Sequence, residues 1–347
     1  MEQPLRILMV PQAPYSMASG GMEVTQDRVA ESLEKAGVYV EKLDYWNPKL
    51  TANVAHVFGS ELGVAHIVSK LYGLGIPVVT TAMFTPIHPL WLYKVAWAIP
   101  LLRTKSTMSV RRELLQKSSA VVAISPVEVE LLQQFIGLPA DVIHMVPNAV
   151  SPQFFTTTAD EFRRRTGIMS DNIVLCVGTI EPRKNQLRVI EAVRGLGAEL
   201  VFIGNPGVEY YGKQKEFFDA FEREVKANNS IHWFRTTPHT DPFLASAFAA
   251  AKVHVLASVV EAHGMVTIEA AAAGANVVVS DIPTQRTLYG DTVDYAKPTS
   301  IGELRAAIVR QLSAPRGSQT IPSFLLNDWD EVARLLINIY QRVVRKH

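Results

Sequence analysis

Short runs of β-branched and apolar residues recur along the chain, separated by stretches whose apolar positions fall at helical spacing. This is the pattern of a repeated strand–helix unit. In the first half, Leu5 to Val10, Val38 to Leu43, Val54 to Phe58, Ile76 to Thr81, Ala120 to Ile124 and Val142 to Val146 read as strands. Several are apolar on both faces, as a parallel sheet covered by helices on both sides requires. Between the first two, Met22, Val29, Ala30 and Leu33 share one helical face and Gly37 stops the helix. The rhythm breaks over SPQFFTTTADEFRRRTG, residues 151–167. A second array then begins, with strands at Ile173 to Gly178, Glu199 to Ile203, Ile231 to Phe234, Val253 to Ala257 and Val277 to Ser280. Near the end, Trp329, Val332, Leu335, Leu336, Ile339 and Tyr340 fall on one face of a last amphipathic helix. Two such halves predict an α/β protein of two doubly wound, Rossmann-like domains across a cleft, with ligands at the carboxyl ends of the strands.

Composition narrows the class. At 347 residues the chain fits two domains, and 34 Lys and Arg against 33 Asp and Glu leave no field that argues for nucleic acid. The single cysteine, Cys176, sits in the apolar run IVLCVG and reads as core, which excludes a disulfide framework and suits a reducing cytoplasm. The opening MEQPLRILMVP has the look of a first core strand rather than a signal peptide. Phe84 to Leu102 is the most membrane-like stretch, but three prolines and Lys94 make it a poor spanning helix. Trp91, Tyr93 and Trp97 interleave there with Lys94 and are followed by Arg103, Lys105, Arg111, Arg112 and Lys117. The segment 91–117 is either core aromatics beneath a solvated basic face or a peripheral surface for an anionic membrane or a lipid-linked acceptor.

Three elements carry anion chemistry. The longest is VHVLASVVEAHGMVTIEAAAAGANVVVSD, a strand, a loop, an Ala-rich helix ending at Gly274, and a second strand. Gly264 lets backbone approach a ligand at the helix N-terminus, where amides favour phosphate. Glu261 and Glu269 flank that spot, and carboxylates accept hydrogen bonds from sugar or ribose hydroxyls. Read plainly, the same two acids are a loop charge and a solvated helix residue. After the strand IVLCVG, TIEPRKNQ places Arg183 and Lys184 beyond the strand's carboxyl end, suited to a diphosphate or merely solvated. Ser19, Gly20 and Gly21 stand between the first strand and first helix, a further place for phosphate although not the GxGxxG fingerprint. His88, between prolines, is a cleft or a loop histidine. No residues show metal-ligand spacing; Asp328 and Asp330 form a D-x-D that helix capping explains.

GTIEPRKNQ and EAHGMVTIEAAAAGANVVVSD, set in this two-domain layout, resemble the retaining glycosyltransferases of the GT-B fold, the family 4 group. The resemblance implies an N-terminal acceptor-binding domain at 1–160, a nucleotide-sugar-binding domain at 161–326, and a terminal helix, 327–347, packing back on the first domain. Glu261 and Glu269 match the family's E-x7-E acids, the first implied to contact the donor sugar and the second the ribose. Arg183 and Lys184 match its Arg-Lys pair on the diphosphate. Gly264, Met265 and Val266 match its phosphate and sugar cradle, which the Gly20-Gly21 loop closes from the other domain. Trp233 to Thr236, with Phe234 and Arg235, match its nucleobase segment. Asn148, in VPNAV, matches a further motif, with Ala149 where the family usually has Gly. Many members carry a histidine just after the strand that ends here at Thr81; this chain reads TTAMF, and His88 lies further along. His263 stands where the family usually has Phe, as a sugar or acceptor contact or an aromatic wall.

The resemblance implies a cytoplasmic transferase, at the inner membrane face if the acceptor is lipid-linked. It would move a hexosyl group from GDP-mannose or a UDP-hexose to a glycan or lipid-linked acceptor of cell-surface polysaccharide, with retention, without metal and with no cofactor beyond the donor. The alternatives are a non-catalytic nucleotide-sugar-binding partner subunit, a sugar-nucleotide epimerase, or a phosphorylase using pyridoxal phosphate.

Overall fold

The computed structural model describes residues 5–12, 21–85, 106–207, 213–236 and 241–347, together with Leu92, Val95, Ala98 and Ile99. The chain divides into two compact units, Met1–Asn148 with Asn327–His347, and Ala149–Leu326.

The first unit is built on six parallel strands, β1 (Arg6–Val10), β2 (Tyr39–Lys42), β3 (Val54–Phe58), β4 (Val78–Thr81), β5 (Ala120–Ala123) and β6 (Ile143–Met145), in the order β2-β1-β3-β4-β5-β6. β3 (VAHVF), β4 (VVTT) and β5 (AVVA) are buried along their whole length, and the polar His56, Thr80 and Thr81 among them are hydrogen-bonded to one another or to Ser118 and Tyr340. From β1 the chain steps outward to β2 and returns on the other side for β3, so the topological switch point lies between β1 and β3. The terminal helix, Trp329–Lys346, is part of this unit. Asp328 caps it by accepting from the Glu331 amide at 2.8 Å, and Asp330 pairs with Lys35, which accounts for the D-x-D. Its Tyr340 hydroxyl lies 2.6 Å from His56 Nδ1, whose Nε2 lies 2.8 Å from Thr81 Oγ1. Burial pushes the His56 pKa down to about 3, so the ring is neutral, donating through one nitrogen and accepting through the other.

The second unit has β7 (Ile173–Val177), β8 (Glu199–Ile203), β9 (Ile231–Phe234), β10 (Val253–Leu256), β11 (Asn276–Ser280) and β12 (Asp294–Ala296), all parallel, in the order β12-β11-β10-β7-β8-β9. Alternate residues feed two cores. Val174, Cys176 and Phe202 lie in one and Leu175, Val201 and Ile203 in the other, as period-2 side chains on a two-sided sheet must. Cys176 is thus packing, and burial raises its thiol pKa further. Val150 and Phe154 belong to the core that holds Phe162 and Phe248, so this unit begins at Ala149, before the break in strand rhythm. The switch point falls between β7 and β10, because the chain runs outward through β8 and β9 before β10 returns to the other side of β7. Among the described residues no helix is long and apolar enough to cross a membrane.

Candidate active site

The Arg-Lys turn follows β7. Pro182–Lys184 makes one 3-10 turn, Asn185 then takes a left-handed conformation (φ 65°, ψ 26°), and the helix Gln186–Val193 starts. Asn185 is 3% exposed and ties three segments together. Its Nδ2 donates to Ala257 O at 3.1 Å and Pro298 O at 2.7 Å, and its Oδ1 accepts from Arg188 Nη1 at 2.7 Å. The Val259 amide donates to Arg183 O at 2.8 Å, which stitches the turn to the loop after β10.

That loop carries Glu261. Gly264 ends it at φ 76°, a conformation that favours glycine, and a Cβ there would meet Leu256 Cδ2 at 2.7 Å, so that side chain would have to shift. The helix Met265–Ala272 begins next with no side chain at its cap, leaving its dipole's positive end toward the loop. It is stopped by Gly274 at φ 85°. The neighbouring helix, Pro283–Tyr289, holds the loop from below: Thr284 Oγ1 donates to Glu261 O at 2.7 Å, and Gln285 Nε2 to His263 O at 3.4 Å.

Because β7 and β10 are adjacent, the two loops converge over the switch point. Lys184 Nζ lies 2.5 Å from Glu261 Oε2, Ser258 Oγ donates to the same oxygen at 3.1 Å, and Arg183 Nη1 stands 3.7 Å away. Arg183 also binds Glu181 Oε1 at 2.6 Å and Val260 O at 3.1 Å. Two bases therefore balance two acids. Burial pushes the Glu261 pKa up, but Lys184, Arg183 and the Ser258 bond more than offset it and hold the carboxyl below its usual range. An ionised carboxylate is an acceptor only, so Glu261 suits hydroxyl orientation and not proton donation.

Arg183, Lys184 and Glu261 are thus brought together, with Gly264, Met265 and Val266 at the adjoining helix start. Glu269, 6% exposed, lies one turn further along that helix and is not a solvated residue. His263 is enclosed at 2% exposure, and among the described residues neither ring nitrogen has a hydrogen-bond partner. Burial takes its pKa down to about 4, so the ring is neutral. Phe234 ends β9 with its ring packed against Phe162 and Phe243 at 6.3 and 5.6 Å. Arg235 is exposed and lies over the Trp233 ring. Asn148 is buried at the end of the first unit, and Gly21 opens the helix Gly21–Lys35 there. Gly20 and His88 lie outside the described residues, as do Trp91, Tyr93, Lys94, Trp97, Arg103 and Lys105. Arg111 pairs with Glu61 and Lys117 with Glu113, so these two bases are committed within the first unit. Sequence reasoning overlooked Asn185, Ser258 and Thr284. The signal for Asn185 was present, since asparagine tolerates a left-handed turn better than other side chains.

The chain matches the Glycosyltransferase Family 4 model over residues 42–154 and the model for Glycosyl transferases group 1 over residues 158–320. It is 24% identical over 295 residues to a D-inositol 3-phosphate glycosyltransferase of Xylanimonas cellulosilytica, covering 74% of this chain and 69% of that one. It is 22% identical to the O-antigen chain mannosyltransferase B of Escherichia coli, with the same coverage. Among solved structures it resembles sucrose-phosphate synthase from Thermosynechococcus elongatus (TM-score 0.75, 17% identity, 99% of this chain and 100% of that one). Anabaena HepE in complex with UDP-glucose is also similar (TM-score 0.69, 14% identity, 99% of each chain). At these identities the structural likeness is one of fold. Two consecutive family models laid over two switch-point sheets lead to one conclusion: the chain belongs to the family 4 type of GT-B glycosyltransferases and uses nucleotide sugars.

Proposed function

We propose that this protein transfers a hexosyl group from GDP-mannose or a UDP-hexose to a glycan or lipid-linked acceptor, with retained configuration and without a metal. The observation that carries this reading is the Lys184–Glu261–Arg183 cluster over the switch point between β7 and β10. A mannosyltransferase among the relatives and a UDP-glucose complex among the fold neighbours support the two donor classes.

In this reading the donor diphosphate takes Lys184 and Arg183 as its own partners, displacing Glu261 and Glu181. The two cations and the helix start at Met265 then stabilise charge on the leaving diphosphate, the electrostatic term that a metal supplies elsewhere. Glu261, freed from Lys184, accepts hydrogen bonds from sugar hydroxyls; Glu269 serves the ribose. The acceptor oxygen forms its bond to the anomeric carbon on the face from which phosphate leaves, the carbon–phosphate oxygen bond breaks, and the departing phosphate takes the acceptor's proton. Glu261 is engaged with the sugar hydroxyls in this reading, so no carboxylate is assigned as the nucleophile of a double displacement. A thermal-shift screen with UDP, GDP, ADP and their common sugar conjugates tests this, since a ligand of the native state raises the melting temperature by mass action. One nucleotide should give a selective rise that Glu269→Gln removes; no rise with any of them defeats the reading.

A further inference from the structure

The first unit carries a strained turn of its own. Met83 stands at φ 48°, and it and Asn185 are the non-glycine residues with positive φ among those described. It stands two residues beyond the end of β4, at the carboxyl end of the sheet, where doubly wound folds place ligands. Methionine has no polar group to favour this conformation, which persists only where the surroundings over-determine it.

The surroundings do so through side chains with no part in the cluster described above. The Ala82 amide donates to Val122 O at 2.9 Å, and Ala82 O accepts from Ser60 Oγ at 2.6 Å. On the far side of Met83, the Phe84 amide donates to Glu128 Oε1 at 2.5 Å, while Glu128 Oε2 accepts from the Ile124 amide at 2.7 Å. Arg111 lies over the Phe84 ring, bonds Ser60 O and pairs with Glu61. Loops following β3, β4 and β5 are thereby locked to one another. Ser60, Ala82, Phe84 and Glu128 are each 3% exposed or less, whereas Met83 reaches partway to the surface. A carboxyl group buried in this way is costly unless its hydrogen bonds secure something specific.

We propose that Glu128 is a positioning residue for sugar transfer: its carboxyl holds the Ala82–Phe84 turn in the left-handed conformation at Met83 and so fixes one wall of the substrate-binding end of the first sheet. The proposal rests on the transferase reading above.

The test uses the full chain labelled at the methionine methyl carbons, as wild type, Glu128→Gln, Met83→Gly and the double variant. The Met83 resonance is the one lost in Met83→Gly. In Glu128→Gln that resonance should move or broaden, and sugar release from UDP-glucose or GDP-mannose should fall about tenfold. Affinity for UDP and GDP by calorimetry should stay unchanged, because the nucleotide site lies in the other unit. On the Met83→Gly background the effect of Glu128→Gln should shrink about threefold or more, since glycine holds the turn unaided. An unmoved resonance overturns the clamp. A moved resonance with unchanged turnover, or an equal fall on both backgrounds, overturns the positioning role. Should Glu128→Gln fail to fold, Ser60→Ala carries the same expectations through the bond to Ala82. Wild-type protein that neither binds UDP or GDP nor releases sugar overturns the transferase reading and the catalytic half of this proposal, while the methyl signal still decides the clamp.

Discussion

Asn185 and Met83 stand in the same backbone region, each after a parallel strand, one in each unit, and they are held there by opposite means. Asn185 supplies its own restraint, with three side-chain bonds to Ala257, Pro298 and Arg188. Met83 supplies none, and Ser60 and Glu128 impose its conformation through the backbone on either side. Strain carried by the residue itself travels with that residue and is visible in its type. Strain imposed from outside depends on groups far along the chain, one of which titrates. Burial lifts the Glu128 pKa to about 7, against the opposing pull of the Ile124 and Phe84 amides and of Arg111. Arg111 is the charged group facing it and is itself paired with Glu61; β4, β5 and the turn bring no other titratable side chain.

The largest effect should come from the chemistry itself. Lys184→Ala should lower turnover by about 10²-fold, roughly the value of one preorganised charge contact in a transition state, with the Met83 resonance unmoved. A loss confined to KM would make Lys184 a ground-state contact.

Of similar size is a pH effect particular to the first unit. The folded pKa of Glu128 is raised above its unfolded value of 4.5, so its contribution to stability is fully present below pH 4.5 and is lost as pH rises through about 7. At about 1.4 kcal/mol per unit, that is about 3 kcal/mol between pH 4.5 and 8. Urea unfolding of wild type against Glu128→Gln should show this difference narrowing with rising pH. A constant difference would mean that Glu128 does not titrate there.

The smallest effect sharpens the comparison most, because glycine should act with opposite sign at the two positions. Asn185→Gly keeps the left-handed turn but loses the side-chain bonds, and should destabilise the second unit by about 2 kcal/mol. Trp233, the one tryptophan between residues 149 and 326, reports that unit's unfolding by fluorescence. Met83→Gly removes strain and loses no bond of its own, and should stabilise the first unit by about 0.5–1 kcal/mol. Destabilisation at Met83 would show that its side chain, not its neighbours, maintains the turn.

Much of the candidate site was legible because its residues are local to strand ends. EPRKN follows β7 and EAHG follows β10, and each motif names its residue types within a few positions. The burial of His263 was not legible: its ring is enclosed by a fold whose supporting bonds come from the helix Pro283–Tyr289. Thr284 and Ser258 were missed for the same reason, since a hydroxyl has no signature until its acceptor is known. β12 escaped because Asp-Tyr-Ala is too short to show any period. Residues 149–160 have no strand rhythm, yet Val150 and Phe154 anchor them in the second core.

By itself the sequence determined the two βα arrays, the residue types of the candidate site and their place after particular strands, because periodicity, glycine position and charge act over a few residues. Tertiary structure decided the strand order, which makes β7 and β10 neighbours and brings Lys184 to Glu261 across 77 positions of chain. It also decided that Met83 is strained and that the Glu128 pKa is raised, since both depend on loops of three strands closing around one turn. Backbone preference is a local property, whereas desolvation and imposed strain exist only once distant segments have excluded water together.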